Sequence, residues 1–228
     1  MKIINYTSEN YKQCLDITSP SWTCDKIIYS DTDNFGIKIF EKKEEDYDEN
    51  CRRKIFAVKR AIQDYPGENL LFLDTDCYVK NLPTDVFEKY NFDIAVTRMV
   101  RRKRVKREIN SGVVFIRSNE RTLKLCDEWL KLCDENLKDK KPCSDQKALN
   151  TLVYDAYDEK IDIQAINLSE EVYNFERDNA EQFLRDIHER AKILHLKQKI
   201  WYNKDVLNKL KELWKGERKE INFWVLKK

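Results

Sequence analysis

The stretch from Asn69 to Val79, NLLFLDTDCYV, most constrains what this chain can fold into. Leu70, Leu71, Phe72 and Leu73 form a short unbroken apolar run, which suits a strand buried on both faces. The run stops at Asp74-Thr75-Asp76. A buried strand that ends in two carboxylates presents them at its C-terminal edge, where open α/β sheets bind ligands. Two carboxylates about 4 Å apart repel by roughly 4 kcal/mol at an effective dielectric of about 20, so a cation is expected between them. Hard oxygen ligands suit Mg2+ or Mn2+, ions often held by one or two carboxylates together with a substrate's phosphates. The plainer alternative is that Asp74 and Asp76 cap the strand end and open a turn.

The segments before this stretch alternate in type. Lys2 to Tyr6 reads as a first strand, followed by Thr7-Ser8 as turn and N-cap of a helix from about Glu9 to Ile17. Asp25 to Tyr29 reads as a second strand. Glu41 to Asn50, with six acids and two lysines, reads as a solvated loop. A helix from Cys51 to Tyr65 carries Ile55, Val58 and Ile62 at helical spacing, and Pro66-Gly67 stops it. Strand, helix, strand, helix, strand is the order of an α/β fold with a largely parallel sheet. At 228 residues, one domain spanning 1–228 is expected, with a basic tail from about 216 to 228.

Past Val79, Pro83 opens a short helix and Phe92 to Thr97 reads as a strand. Arg98 to Arg107 holds seven basic residues in ten, although the whole chain is nearly balanced at a net charge of +2. That balance argues against a generic nucleic-acid coat. The run itself reads as a nucleic-acid contact, a nuclear-localisation-like segment or a solvated loop. It leads into Ile109-Asn110-Ser111-Gly112-Val113-Val114-Phe115-Ile116, a second apolar strand. Gly112 is one of only four glycines, so its place there points either to close backbone approach by a ligand or to a simple bulge. Asn119 to Leu137 is an amphipathic helix whose Trp129 reads as core. Ser144-Asp145-Gln146 opens another helix, through about Tyr157, where Ser144 or Asp145 could be only an N-cap. Ile161 to Ile166 reads as a strand and Asn179 to Arg190 as a helix, with His188 an ordinary surface histidine. Lys192 to Leu196 is a last strand that ends at His195, followed by Lys199, Trp201 and Tyr202, and Asp205 to Lys215 is a terminal helix.

Seven cysteines make an odd number with no CxxC, so neither a disulfide framework nor a zinc knuckle is indicated. Cys126 and Cys133 read as buried free thiols on one helix. The sequence has no apolar run long enough to span a membrane and no N-terminal apolar segment of a leader, so a cytoplasmic protein is expected.

Five blocks in order, the apolar strand with DTD, then FDIAVT, INSGVVFIR, SDQKALN and ILHLKQKIW, resemble the nucleotide-sugar glycosyltransferases of the GT-A fold. The likeness runs from the opening strand to about Trp201. It implies a single Rossmann-like α/β domain with a mostly parallel, mixed central sheet flanked by helices. The resemblance makes Asp74 and Asp76 the DxD pair that holds Mn2+ or Mg2+ and the donor diphosphate, with His195 completing the metal site. It places Tyr6 and Thr7 near the nucleotide base and ribose, and adds Lys54 and Thr75 to the donor-binding set. Asn110, Ser111 and Gly112 match the segment lining the sugar pocket, and Asp145-Gln146 the pair facing sugar and acceptor. HLKQKIW lacks the glycine and proline usual in that segment, which leaves the phosphate-binding lysine open between Lys197 and Lys199. The expected partners are a nucleotide-sugar donor, UDP-sugar favoured and GDP-sugar the alternative, and a glycan or glycoconjugate acceptor, anionic if the basic run touches it. Nucleic acid is not an expected partner.

The chemistry holds together at the level of the residues. Breaking a glycosyl–diphosphate bond builds positive charge on the sugar and negative charge on the leaving diphosphate, which a cation and nearby lysines stabilise. A carboxylate such as Asp145 then serves the acceptor hydroxyl or the sugar cation. Two rivals remain. A haloacid-dehalogenase-type phosphatase shares the strand-plus-DxD pattern, but there that strand comes first, Tyr78 stands where Thr or Val belongs, and none of the four glycines is followed by Asp. A nucleic-acid-binding module would have to rest on Arg98 to Arg107 alone.

Overall fold

The structure is a computed structural model, and it describes residues 1–34, 36–40, 47–98, 108–139, 144–197 and 200–213. In chain order the strands and helices are β1 (Lys2–Thr7), α1 (Lys12–Thr18), β2 (Lys26–Ser30), β3 (Ile37–Lys38), α2 (Tyr47–Asp64), β4 (Asn69–Leu73) and β5 (Cys77–Val79). Then come α3 (Asp85–Lys89), β6 (Ile94–Arg98), β7 (Ile109–Arg117), α4 (Glu120–Lys138), α5 (Ser144–Tyr157) and β8 (Ala165–Ser169). The described chain ends with α6 (Glu170–Tyr173), β9 (Phe175–Glu176), α7 (Ala180–Asp186), β10 (Ile193–His195) and α8 (Lys204–Leu213).

A seven-stranded sheet of order β3-β2-β1-β4-β7-β6-β8 forms the frame. Four of its pairings are parallel, and β7 alone runs against both its neighbours, β4 and β6. The sheet is therefore mixed and mostly parallel, as the resemblance to GT-A enzymes implies. The apolar run Leu70–Leu73 lies in β4 near its centre, and each of its residues is almost wholly buried. Side chains alternate between faces along a strand. Leu70 and Phe72 join Ile55, Val58, Trp129 and Leu149 on one face, while Leu71 and Leu73 join Trp22, Phe87, Phe92 and Phe115 on the other. An uninterrupted apolar tetrapeptide is what such a two-faced position demands.

A three-stranded sheet of order β5-β10-β9 closes one end. β10 pairs antiparallel with β5, setting His195 opposite Cys77, and parallel with β9, setting His195 opposite Glu176. Beneath it Tyr78, Phe175, Phe183, Leu194, Trp201 and Val206 form a separate apolar cluster. This pairing brings a late strand back to the DTD turn.

Several boundaries differ from the sequence expectations. Thr7 is the last residue of β1, and Ser8 precedes a short 3-10 turn without a side-chain cap hydrogen bond. The acidic stretch is helical from Tyr47, where α2 begins, and residues 41–46 lie outside the described set. The strand expected over Ile161 to Ile166 starts at Ala165, because its parallel pairing with β6 covers Ala165 to Ser169 and Ile161 and Ile163 pack against the main core instead. α7 ends at Asp186, since Ile187 turns into extended backbone, which leaves His188 outside the helix with its ring edge-on to Phe175. α4 begins as expected, with Asn119 and Thr122 exchanging capping hydrogen bonds of 2.9 and 3.1 Å. Gly67 takes a φ of 79° just past α2, the left-handed turn for which glycine is suited. β5, β9 and α6 carry no sequence signal long enough to read.

Candidate active site

The site begins with the turn after β4. Asp74 N donates to Gly112 O (2.8 Å) and Cys77 N to Asp74 O (3.0 Å), which fixes Asp74 and Asp76 at the sheet edge. Leu196 N donates to Asp76 O (2.9 Å), so β10 is stitched directly to the turn. His195 Nε2 then stands 3.0 Å from Asp76 Oδ1 and 4.0 Å from Asp74 Oδ2. Ligand atoms adjacent around an octahedral ion with bonds of 2.0–2.1 Å are about 3 Å apart. Among the described residues, Asp76, Cys77 and His195 have ligand atoms within 4.8 Å of one another, and the Asp76–His195 pair has that spacing, while Asp74 stands 4.0 Å from the histidine at the edge of the group.

Gly112 shows how closely His195 and Asp74 approach the β7 backbone. A Cβ there would collide with His195 Cε1 and sit 2.7 Å from Asp74 Oδ2 and 3.0 Å from Asn110 Oδ1. Any larger residue would displace both side chains. The glycine therefore serves close approach, and its partner is the protein's own histidine.

A second cluster adjoins the first. Lys54 Nζ lies 2.8 Å from Asp74 Oδ1, 3.1 Å from Asp145 Oδ2 and 3.2 Å from Ser111 Oγ. Ser111 Oγ–H in turn donates to Asp145 Oδ2 at 2.8 Å. Burial favours the neutral amine, but Asp145 and Asp74 outweigh it and hold the Lys54 pKa above its ordinary value. Burial likewise opposes ionisation of Asp145, yet the Lys54 charge, with hydrogen bonds from Ser111 and Cys51, holds its carboxyl below the usual range. Asp76 follows the same pattern: burial opposes, and His195, with a smaller contribution from Lys197, brings its pKa down. The Cys77 and Cys51 thiols are pushed up, first by burial and then by nearby carboxylates.

These groups open into one cavity of about 590 Å3, a size suited to a small-molecule ligand. It is lined by Tyr6, Thr7, Lys54, Asp74, Thr75, Asp76, Asn110, Ser111, Asp145, Gln146, His195 and Lys197, all of them candidates from the sequence. Gly112 lies just behind the wall, and Lys199 and most of the basic run Arg98 to Arg107 fall outside the described residues. Some of these side chains are already engaged. Thr75 Oγ1 donates to Tyr6 O and receives Asn5 Nδ2, each at 3.3 Å, tying the β1 edge to the DTD turn. Tyr6 OH accepts from Arg53 Nη1 and donates to Asn50 Oδ1, both at 3.3 Å. Asp145 lies inside α5 and spends its carboxylate on Ser111 and Lys54 rather than on capping.

Sequence reasoning missed Glu176. Its Oε2 accepts from Asn110 Nδ2 at 2.7 Å and pairs with Lys197 Nζ at 2.5 Å, with His195 Nδ1 3.8 Å away. Nothing in NFERD marks this residue; only the β9–β10 pairing brings it to the site. Asn50, Cys51, Ser8 and Tyr11 also line the cavity unannounced. Trp129, expected as core, is core, and its Nε1–H also donates to Asp145 O at 2.8 Å.

Comparison with known proteins converges on one family. A family model described as nucleotide-diphospho-sugar transferase matches residues 9–213. No curated protein matches the chain. Among solved structures, a glycosyltransferase involved in glycosylation of the major capsid of PBCV-1 superposes with a TM-score of 0.59 at 15% identity, covering 92% of this chain and 98% of that one. The glycosyltransferase GlyE of Streptococcus pneumoniae TIGR4 gives 0.60 at 15% identity, covering 95% of this chain and 60% of GlyE. The galactosyltransferase LgtC, solved with donor and acceptor sugar analogs, gives 0.55 at 12% identity, covering 96% and 98%.

Proposed function

The chain belongs to the nucleotide-diphospho-sugar transferase family, and we propose that it moves a hexosyl or pentosyl group from a UDP-sugar, or else a GDP-sugar, to an acceptor hydroxyl. The acceptor is a glycan or glycoconjugate, and an anionic one if the basic run 98–107 reaches it. The observation that carries this reading is that Lys54 bridges Asp74 to Asp145 and Ser111 beside the Asp76–His195 pair, in one cavity at the C-terminal edge of β4.

Asp74, Asp76 and His195 would hold Mn2+ or Mg2+. Such an ion, when bound, stabilises the negative charge of the leaving diphosphate as a Lewis acid. Lys197, which lines the cavity with His195, or else Lys199 supplies further positive charge to the diphosphate. Asn110, Ser111 and Gly112 line the sugar side. Asp145, ionised and fixed by Lys54 and Ser111, holds a negative charge where the sugar turns cationic. A carboxylate with a lowered pKa is a weak proton acceptor. Its role is thus to stabilise that charge, and Gln146 beside it orients the sugar or the acceptor hydroxyl. Tyr6 and Thr7 shape the nucleotide end. The six described cysteines are all free thiols, five of them buried, which supports a reducing, cytoplasmic setting. Among the described residues no helix is long and apolar enough to cross a membrane.

The test is a thermal-shift screen of UDP- and GDP-sugars with Mn2+, with Mg2+ and with chelator. A donor at about 100 times its Kd stabilises the fold by about 2.7 kcal/mol, roughly 5–10 °C for a chain of this length. The shift should vanish with chelator and in the Asp74→Asn, Asp76→Asn double variant. A double variant that binds donor normally in the presence of metal would remove the central assignment.

A further inference from the structure

His195 Nε2 faces Asp76 Oδ1 at 3.0 Å and Asp74 Oδ2 at 4.0 Å, while Nδ1 faces Asn174 and Glu176. Asn174, between α6 and β9, is fully buried, as is Thr97 on β6. Asn174 Nδ2 donates to Thr97 Oγ1 at 2.9 Å, which directs the amide oxygen the other way. That oxygen stands 3.0 Å from His195 Nδ1. Glu176 Oε2, at 3.8 Å, is beyond hydrogen-bond range and already receives Asn110 and Lys197.

We propose that Asn174 is a positioning residue that, braced by Thr97, takes the Nδ1–H of His195 and so leaves Nε2 as the atom presented to a divalent cation between Asp74 and Asp76. An imidazole has two inequivalent nitrogens, and the hydrogen bond made by one decides what the other can do. The amide oxygen of Asn174 is purely an acceptor, so only a ring protonated at Nδ1 satisfies it. The backbone supports the same orientation. β10 holds the His195 main chain against Cys77 and Glu176, Gly112 leaves room for Cε1, and the amide fixes the remaining rotation about the side chain. An unpartnered acceptor at a fully buried position would be costly, so the contact also fixes the ring in the absence of any ligand. The effect reaches across the fold: Thr97 sits on the large sheet, and through Asn174 it orients a metal ligand on the small one. Its position is marked by a register shift in the β6–β7 pairing between Val96 and Thr97.

The inference rests on His195 being a metal ligand, and the experiment separates the two. Isotope-labelled imidazole NMR on metal-free protein reads the His195 Nδ1–H directly. His188→Gln assigns it, since the chain has only two histidines. Mn2+ affinity is measured on the same preparations by electron paramagnetic resonance without donor. The wild type should show a slowly exchanging Nδ1–H. Asn174→Leu, close in volume but without an acceptor, should lose that resonance and bind Mn2+ about 10- to 100-fold more weakly. Asn174→Asp, which still accepts the proton, should keep both within about threefold. If Asn174→Leu does not fold, Thr97→Val addresses the same chain from its far end and should speed exchange of the Nδ1–H and weaken Mn2+ binding. An unchanged resonance and unchanged Mn2+ affinity in the folded variants overturn the proposal. A wild type that binds no divalent cation overturns the metal reading instead, while the resonance still decides whether Asn174 fixes the ring.

Discussion

Gly112 and Asp145 are the single residues on which the site's geometry and charge turn. Gly112→Ala places a Cβ against His195 Cε1 and Asp74 Oδ2. The main-chain φ there is not the left-handed kind, so the effect comes from the side chains it displaces. Mn2+ affinity should fall by about tenfold or more, the effect typical of disturbing a ligand's support. Calorimetry checks it, and an alanine variant with wild-type affinity would mean that His195 is free to move. Asp145→Asn keeps the shape and removes the charge. Transfer should slow by roughly 10²-fold, while donor Kd holds within a few-fold. The same variant carries a pH signature. The folded pKa of Asp145 lies below its ordinary value of about 3.9, so its pairing with Lys54 stabilises the protein above that pH and is lost as pH falls through the folded pKa. The wild type should therefore exceed Asp145→Asn in stability near neutrality, and the gap should close in acid below about pH 4. Urea midpoints measured across that range decide it, and a gap that does not close would detach Asp145 from Lys54.

At the scale of elements, the two ends of the site differ in how far they could be read from sequence. β4 and β7 were legible because both are buried on two faces, and a strand so placed needs an unbroken apolar run such as LLFL or VVFI. α4 was legible through its apolar stripe and α2 through its Pro-Gly stop. β5 and β9 are too short for any period to show, β10 shows only as the short apolar run KILHL, and the register of all three follows from tertiary pairing alone. Hence His195 was reached through the likeness of its segment to a known family, whereas Glu176 and Asn174, one strand away and in no motif, were not reached at all. Glu176 gives this element its own prediction. It holds Lys197 Nζ and presents a negative charge to any incoming diphosphate. Glu176→Gln keeps an acceptor for Asn110 and releases Lys197. Partly exposed pairs are worth about 0.2–1 kcal/mol, so donor Kd should tighten by about two- to fivefold, and less at high salt. Donor binding that weakens instead would make Glu176 a direct contact of the sugar.

Across the whole molecule, the cavity is assembled from β1, α2, the β4–β5 turn, β7, α5 and β10, elements drawn from both sheets. The local chemistry of this assembly was visible in single motifs, such as DTD and NSG, where polar and small residues follow or open a buried apolar strand, although a turn would use the same residues. Its closure was not, since nothing in a linear chain states that β10 will return to pair with β5, and the third apolar cluster beneath that sheet is what pays for the return. This architecture has a consequence in solution. Leu196 N to Asp76 O and the Lys54 contacts to Asp74 and Asp145 lock neighbouring elements through the site itself. A donor and a divalent cation that bridge Asp74, Asp76 and His195 would oppose any local opening that separates the two sheets. Local opening free energies range from about zero up to the global value, and a ligand raises those openings that break its site. Hydrogen exchange should therefore slow together in β5, β9 and β10 and at the C-terminal end of β4 when UDP- or GDP-sugar is added with Mn2+. The amides of α7 and α8, neither of which contributes a residue to the cavity wall, should slow only as much as global stability rises. Slowing confined to β1 and α2, with β10 unaffected, would mean that the nucleotide binds but that His195 takes no part in holding it.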